Sequence, residues 1–172
     1  MGRVHVFWGD GKGKTSLALG MALRALGAGL RVHLVTFLKD PRGPSGEITA
    51  LERLPGFSHE GHGAAEWVVG APTEAQATTA RRALAAARDA LRSRGHDLVI
   101  LDEVLYAVSL GALAVADVLE LLEERAPGTD VVLTGAWEPP VEILDVADLA
   151  TELRKSKHPF DVGEPARKGF EF

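Results

Sequence analysis

The sequence contains no cysteine, which excludes disulfides, cysteine zinc sites and cysteine nucleophiles together. Asparagine is also absent, glutamine occurs once, at Gln76, and there are two methionines. Heat tolerance selects such a scarcity of thermolabile side chains, and a strong coding bias also produces it. The apolar runs, such as Leu98–Leu101, fall far short of the ~20 residues a membrane helix needs, so no membrane partner is expected. No basic start followed by an apolar segment and a small-residue cleavage site is present, and a cytoplasmic protein is expected. A basic block is missing too. The net charge is −5, which argues against a nucleic-acid binder whose affinity would come from neutralising phosphates. It leaves room for a small anionic ligand held by a few local groups.

What is present is the balance of a globular chain: 172 residues, 46% hydrophobic and 25% charged. That length suits one domain with a full core, 1–172, and is short for two. The charge is split. Residues 1–86 carry 10 Lys and Arg against 7 Asp and Glu, a balance of +3, and residues 87–172 carry 9 against 17, a balance of −8.

Strand-like and helix-like segments alternate. Strands are predicted at Arg3–Trp8, Arg31–Phe37, Asp97–Asp102, Asp130–Thr134 and Leu149–Arg154, with a short one at Phe57–His59. Helices are predicted at Lys14–Leu26, Gly46–Leu54, Thr73–Arg94, Val104–Leu110, Ala114–Arg125 and Pro140–Ala147. Lys14–Leu26 is apolar nearly all round and reads as buried, and Thr73 with Gln76 reads as a capping box. Lys39–Ser45 reads as an exposed loop, His59–Pro72 as irregular, and His158–Phe172 as an irregular tail. The pattern implies an α/β three-layer sandwich with a mostly parallel sheet of five or six strands. Ligands bind such sheets at the carboxyl ends of the strands. Here those places are the loop after Trp8, the acids after Leu101 and the turn after Thr134.

The strongest motif is Gly9-Asp10-Gly11-Lys12-Gly13-Lys14-Thr15-Ser16, between a predicted strand and a predicted helix. Glycines let the backbone turn N–H groups toward one point, and the helix adds the positive end of its dipole. Lys14 would reach phosphate oxygens, Lys12 adds a second cation, and the Thr15 hydroxyl would ligate Mg²⁺. The pattern GxxxxGK[ST] asks for glycine at position 8, where this chain has Trp8. The second motif is Asp102-Glu103, acids at the end of a buried strand, the usual partners of a nucleotide's Mg²⁺. Adjacent strand residues point to opposite faces, so one is expected as a ligand and the other as its support, or one caps the helix from Val104. Trp67 reads either as an aromatic that stacks on a flat ligand or as a core plug. His62 reads as a loop histidine and His5 as facing the other side of the sheet.

These segments resemble the ATP:corrinoid adenosyltransferases of the P-loop type, which act in cobalamin biosynthesis and salvage. The resemblance runs through GDGKGKTS at 9–16, ALRALGAGLRV at 22–32 and GEITALERL at 46–54. It continues with DLVILDEV at 97–104, LTG at 133–135 and ADLATELRKSKHPFDVGEPARKGFEF at 147–172. In that family the residue before the first loop glycine is not glycine, which accounts for Trp8.

The resemblance implies transfer of the 5′-deoxyadenosyl group of ATP to a cobalt(I) corrinoid, with release of tripolyphosphate. Cobalt(I) is itself the nucleophile, so no cysteine, serine or general base is required. Gly9–Ser16 would bind ATP, with Lys12, Lys14 and Glu103 as the catalytic groups. Thr15 and Glu103 would hold Mg²⁺ or Mn²⁺, with Asp102 in support. Trp67 matches an aromatic thought to displace the corrinoid's lower ligand, while Ala64 and Ala65 stand where the family has a phenylalanine. Ala136-Trp137 replaces an arginine often found after the Thr-Gly of the fifth strand. A homodimer, a transient electron-donating reductase, and cover over the site from Trp8, Trp137 or a partner subunit are also implied. The competing readings are a small-molecule kinase or ATPase, for which no arginine-rich lid is found, and a DNA-stimulated RecA-like module, disfavoured by charge. A GTPase would need an NKxD-type segment, which is absent.

Overall fold

A computed structural model describes residues 2–39, 45–64 and 70–170. Among them are six strands: β1 (Val4–Trp8), β2 (Val32–Lys39), β3 (Phe57–Ala64), β4 (Leu98–Asp102), β5 (Asp130–Thr134) and β6 (Leu149–Glu152). The helices are α1 (Lys14–Gly27), α2 (Gly46–Leu51), α3 (Glu74–Arg92), α4 (Val104–Ser109), α5 (Val115–Glu123) and α6 (Val141–Asp145). The strands form one sheet in the order β3-β2-β4-β5-β1-β6, with every pairing parallel. All carboxyl ends therefore lie along one edge.

Alternation along the strands splits the core into two layers. Val4, Val6, Val35, Phe37, Val99, Leu101, Val131 and Leu133 face α3, α4, α5 and α6. Phe7, Val32, Leu34, Leu98, Ile100 and Val132 face α1 and α2. Sheet residues buried on both faces read as near-continuous apolar runs, which is why the central strands were legible. Thr73 accepts from the Gln76 N–H while the Gln76 side chain accepts from the Thr73 N–H, the predicted capping box at the start of α3.

Three expectations need correction. The helix α1 is not buried all round: Ala18, Leu19 and Ala22 are buried, but Leu23 is 56% exposed and Leu17 40%. A helix lying on one face of a sheet buries one stripe. The strand β3 extends to Ala64, so part of the stretch read as irregular pairs with β2 residue by residue. Being at the sheet's edge, it tolerates polar residues and glycines that hid it. Finally, Lys39 is the last residue of β2 and not part of an exposed loop.

At the opposite edge, His33 of β2 stacks on His96, ring centroids 4.8 Å apart, with Nδ1 2.7 Å from the Ser58 hydroxyl. Burial, reinforced by the neighbouring His96, pushes the His33 pKa down to about 4. The folded protein thus holds this ring neutral where the unfolded chain protonates it, at about 6.5. Its stability contribution is complete above 6.5 and is lost as pH falls toward 4. Thermal melts between pH 7 and pH 4.5 should show the midpoint falling by several degrees, and His33→Gln should flatten that fall. An unchanged slope in the variant would remove His33 as its cause.

Candidate functional site

The loop Gly9–Gly13 joins β1 to α1. It is held against the chain leaving β6: Gly11 N–H donates to the Leu153 carbonyl at 2.8 Å, and Leu153 N–H donates to the Trp8 carbonyl at 2.7 Å. Gly9 has φ +112°, and a Cβ there would lie 2.2 Å from the Leu153 carbonyl oxygen, so only glycine fits. Gly9 N–H donates to the Ala136 carbonyl at 3.1 Å. Gly9 and Gly11 therefore serve the loop by close approach, with their N–H groups turned away from any ligand. The first turn of α1 offers donors to an anion, because a helix leaves those N–H groups without intrahelical partners. Asp10 accepts from the Lys155 N–H at 2.9 Å and fastens the start of the tail to the loop. The Lys14 ammonium curls back over the loop and donates to the carbonyls of Gly9 at 2.6 Å and Gly11 at 3.0 Å. Burial lowers its pKa, and the charges of Glu103 and Asp10 oppose that.

Beside the loop lies a cage of oxygens around one ammonium group. Asp102, 1% exposed, accepts at Oδ1 from the hydroxyls of Thr15 at 2.8 Å and Thr134 at 2.6 Å. Its Oδ2 accepts from the Lys39 ammonium at 2.6 Å. Lys39 also donates to the Thr15 hydroxyl at 3.1 Å and lies 3.4 Å from Glu103 Oε1. Glu103 is largely buried. Desolvation and then the neighbouring Asp102 charge push its pKa up, while Lys39 and Lys14 pull it down.

Backbone strain builds this cage. Among the described residues four non-glycine residues have positive φ, and three stand at the carboxyl ends of adjacent strands: Leu38 (φ 58°), Glu103 (φ 65°) and Ala136 (φ 57°). Left-handed backbone costs such residues about 1–3 kcal/mol each and gathers at functional sites. At Leu38 it breaks the period of two, so that Phe37 and Leu38 both enter the same core layer and Lys39 turns toward Asp102. At Glu103 it does the same after β4. Alternation along an extended strand predicts Asp102 and Glu103 on opposite faces. In the structure both reach the Lys39 ammonium, because Glu103 is no longer in extended backbone. Glu103 occupies the cap position of α4, but its side chain makes no capping bond, and its N–H donates to Thr134 Oγ1 at 3.0 Å.

The family profile described as "ATP:corrinoid adenosyltransferase BtuR/CobO/CobP" matches residues 1–172. This chain belongs to the corrinoid adenosyltransferase family. It is 37% identical to "Corrinoid adenosyltransferase CobA" of Salmonella typhimurium (strain LT2), over 99% of this chain and 86% of the relative. It is 34% identical to the corrinoid adenosyltransferase of Escherichia coli (strain K12), with the same coverage. The corrinoid adenosyltransferase of Pseudomonas aeruginosa (strain PAO1) is 34% identical, over 99% of this chain and 84% of that one.

Within this adenosyltransferase fold, Lys14, Thr15, Asp102 and Glu103 converge as the sequence suggested. Lys12 and Ser16 lie exposed on the loop and the first turn of α1. Trp67 lies outside the described residues. Of the two tryptophans expected as covers, Trp8 packs against the core and Trp137 is 77% exposed. Two residues were missed, Thr134 and Lys39. Thr134 carries a signal, since it precedes one of the turns at the strands' carboxyl ends and a buried hydroxyl there needs a partner. Lys39 carried a weaker one: a lone cation closing an apolar strand just before Asp40-Pro41. No helix among the described residues is long and apolar enough to cross a membrane.

Proposed function

We propose that this enzyme transfers the 5′-deoxyadenosyl group of ATP to the cobalt(I) of a corrinoid and releases tripolyphosphate. The match of residues 1–172 to the adenosyltransferase family carries the reading. A kinase or ATPase cleaving the β–γ bond is not favoured by that match. In the reaction cobalt(I) attacks C5′. The cobalt–carbon bond forms as the C5′–O bond breaks, and the electron pair leaves on tripolyphosphate. The chain supplies no nucleophile and needs none. Its work is to align C5′ with cobalt, to neutralise the leaving group and to exclude water.

In this reading Gly9–Ser16 holds the triphosphate, with the N–H groups at the start of α1 and the ammonium groups of Lys14 and Lys12 as donors. Thr15, Asp102 and Glu103 hold Mg²⁺ or Mn²⁺. The donor set fits, because it is made of hard oxygens and already surrounds a cation, the Lys39 ammonium, at 2.6–3.4 Å. When bound, the divalent cation supplies positive charge to the departing triphosphate. Trp67 as a corrinoid contact rests on the resemblance alone. We read 1–172 as one nucleotide-binding domain that works as a homodimer with a reductase supplying the electron. The exposed Trp137, Val141 and Leu149 offer a partner subunit apolar surface to cover. A reaction that consumes ATP and strongly reduced cobalt belongs in the cytoplasm.

Chemically reduced cob(I)alamin with MgATP should give a light-sensitive alkylcobalamin and tripolyphosphate. Formation of ADP or orthophosphate without a cobalt–carbon product would overturn the assignment.

A further inference from the structure

We propose that Lys39 is the resident cation of the metal cage: it closes the cage when no nucleotide is bound, and it moves onto the polyphosphate when a nucleotide brings the divalent ion. The inference rests on the metal-site reading above and adds to it a gate that makes metal loading depend on nucleotide.

Three observations carry it. First, the Lys39 ammonium contacts the three groups assigned to the metal, at 2.6 Å from Asp102 Oδ2, 3.1 Å from Thr15 Oγ1 and 3.4 Å from Glu103 Oε1. Ammonium and metal cannot share those oxygens. Second, the inner cage is balanced, with Lys14 and Lys39 against Asp102 and Glu103. A bare divalent ion added to it would leave excess positive charge in a largely buried place, where unpaired charge is costly. A polyphosphate arriving with the ion removes that excess. Third, the bonds Lys39 makes to the cage are those of its ammonium, and its side chain is 28% exposed and not sealed in. Its four-carbon stem can swing without disturbing β2. The left-handed Leu38 turns this side chain into the cage.

The test is Mn²⁺ binding to the full chain without corrinoid, read from loss of the free-ion EPR signal when no nucleotide is present and, when ATP is present, from Mn²⁺ retained with the protein on a size-exclusion filter against an ATP-only control. Wild type should bind Mn²⁺ weakly alone and much more tightly with ATP. Lys39→Met should bind Mn²⁺ about tenfold or more tightly without nucleotide, because the competing cation is gone, and should gain less from ATP. Lys39→Arg, which keeps the charge, should stay close to wild type. Equal Mn²⁺ affinity of wild type and Lys39→Met without nucleotide would overturn the proposal, as would tighter binding by Lys39→Arg. Asp102→Asn separates the two levels. If it abolishes ATP-dependent Mn²⁺ binding while Lys39→Met changes nothing, the metal site stands and the gate falls. If it has no effect, the metal site itself is wrong and the gate falls with it. Should Lys39→Met not fold, the NMR signal of the wild-type Lys39 ammonium decides: it should shift on addition of MgATP and stay in place with Mg²⁺ alone. A signal that ignores MgATP overturns the proposal.

Discussion

Lys14→Ala should reduce turnover of pre-reduced cobalamin by about a thousandfold, the scale on which one preorganised charge donor at a developing anion contributes. The reaction moves an electron pair onto tripolyphosphate, so negative charge grows at the oxygen leaving C5′. In the proposed reading Lys14 is the cation delivered to that region. Its stem rises from the first residue of α1, and its ammonium is already turned inward over the loop, bonded to the Gly9 and Gly11 carbonyls. Those carbonyls are neutral acceptors and yield to phosphate oxygens, which form stronger charge-assisted bonds. Partial burial raises the value of the charge, since a desolvated ammonium gains more from an anion than a hydrated one.

The variant should stay folded, because the bonds lost are made to a loop that Leu153 and Ala136 also hold. Loss of activity with an unchanged melting temperature is therefore the expected pair of results. It is read from the visible spectrum of the corrinoid under anaerobic reduction. Wild-type turnover in Lys14→Ala would remove the loop lysine from the mechanism and leave the leaving group to Lys12 and the helix start.

The contrast between Lys14 and Lys39 shows where the sequence stopped being legible. Lys14 sits in a motif whose spacing encodes its geometry: strand, glycine turn, lysine, helix. The loop could be placed from composition and order alone. Lys39 and Glu103 depend on two left-handed residues, Leu38 and Glu103 itself, and neither is a glycine or an asparagine that would advertise such a backbone. The rule of alternation then gives the wrong face for both. A different limit hid the second half of β3, an edge strand whose polar residues and glycines mask its pattern although Gly61 and Gly63 pair normally with β2. The lateral order of the strands lay beyond reach as well, because parallel βαβ units fix handedness and direction but not which strands become neighbours. The exposed stripe of α1, with Leu17 and Leu23, has the composition of a buried one and differs only in where the sheet happens to lie.

Asp102→Ala should lower stability by about 3 kcal/mol, because it removes one member of a buried ion pair and leaves the other uncompensated. For a chain of this size that is a fall in melting temperature of about 10 °C. Asp102 accepts three bonds, from Thr15, Thr134 and Lys39. Thr134 is fully buried, so its hydroxyl would be left without an acceptor for its proton. Lys39 would keep Glu103 at 3.4 Å and partial access to water, which holds the loss below the upper end for such pairs. The double variant Asp102→Ala with Lys39→Met should recover part of the stability, since it removes the stranded cation as well as the anion; the two effects should not add, as expected for groups in direct contact. If the double variant melts no higher than Asp102→Ala alone, the Lys39–Asp102 pair is not what Asp102 contributes, and the stability of the cage must come from the two threonine hydroxyls. Asp102→Asn should fall between the two, because its amide oxygen still accepts from Thr15 and Thr134 while its neutral side chain no longer balances Lys39. Ordering the melting temperatures of these variants by thermal denaturation thus separates the charge in the cage from its hydrogen bonds, without recourse to activity.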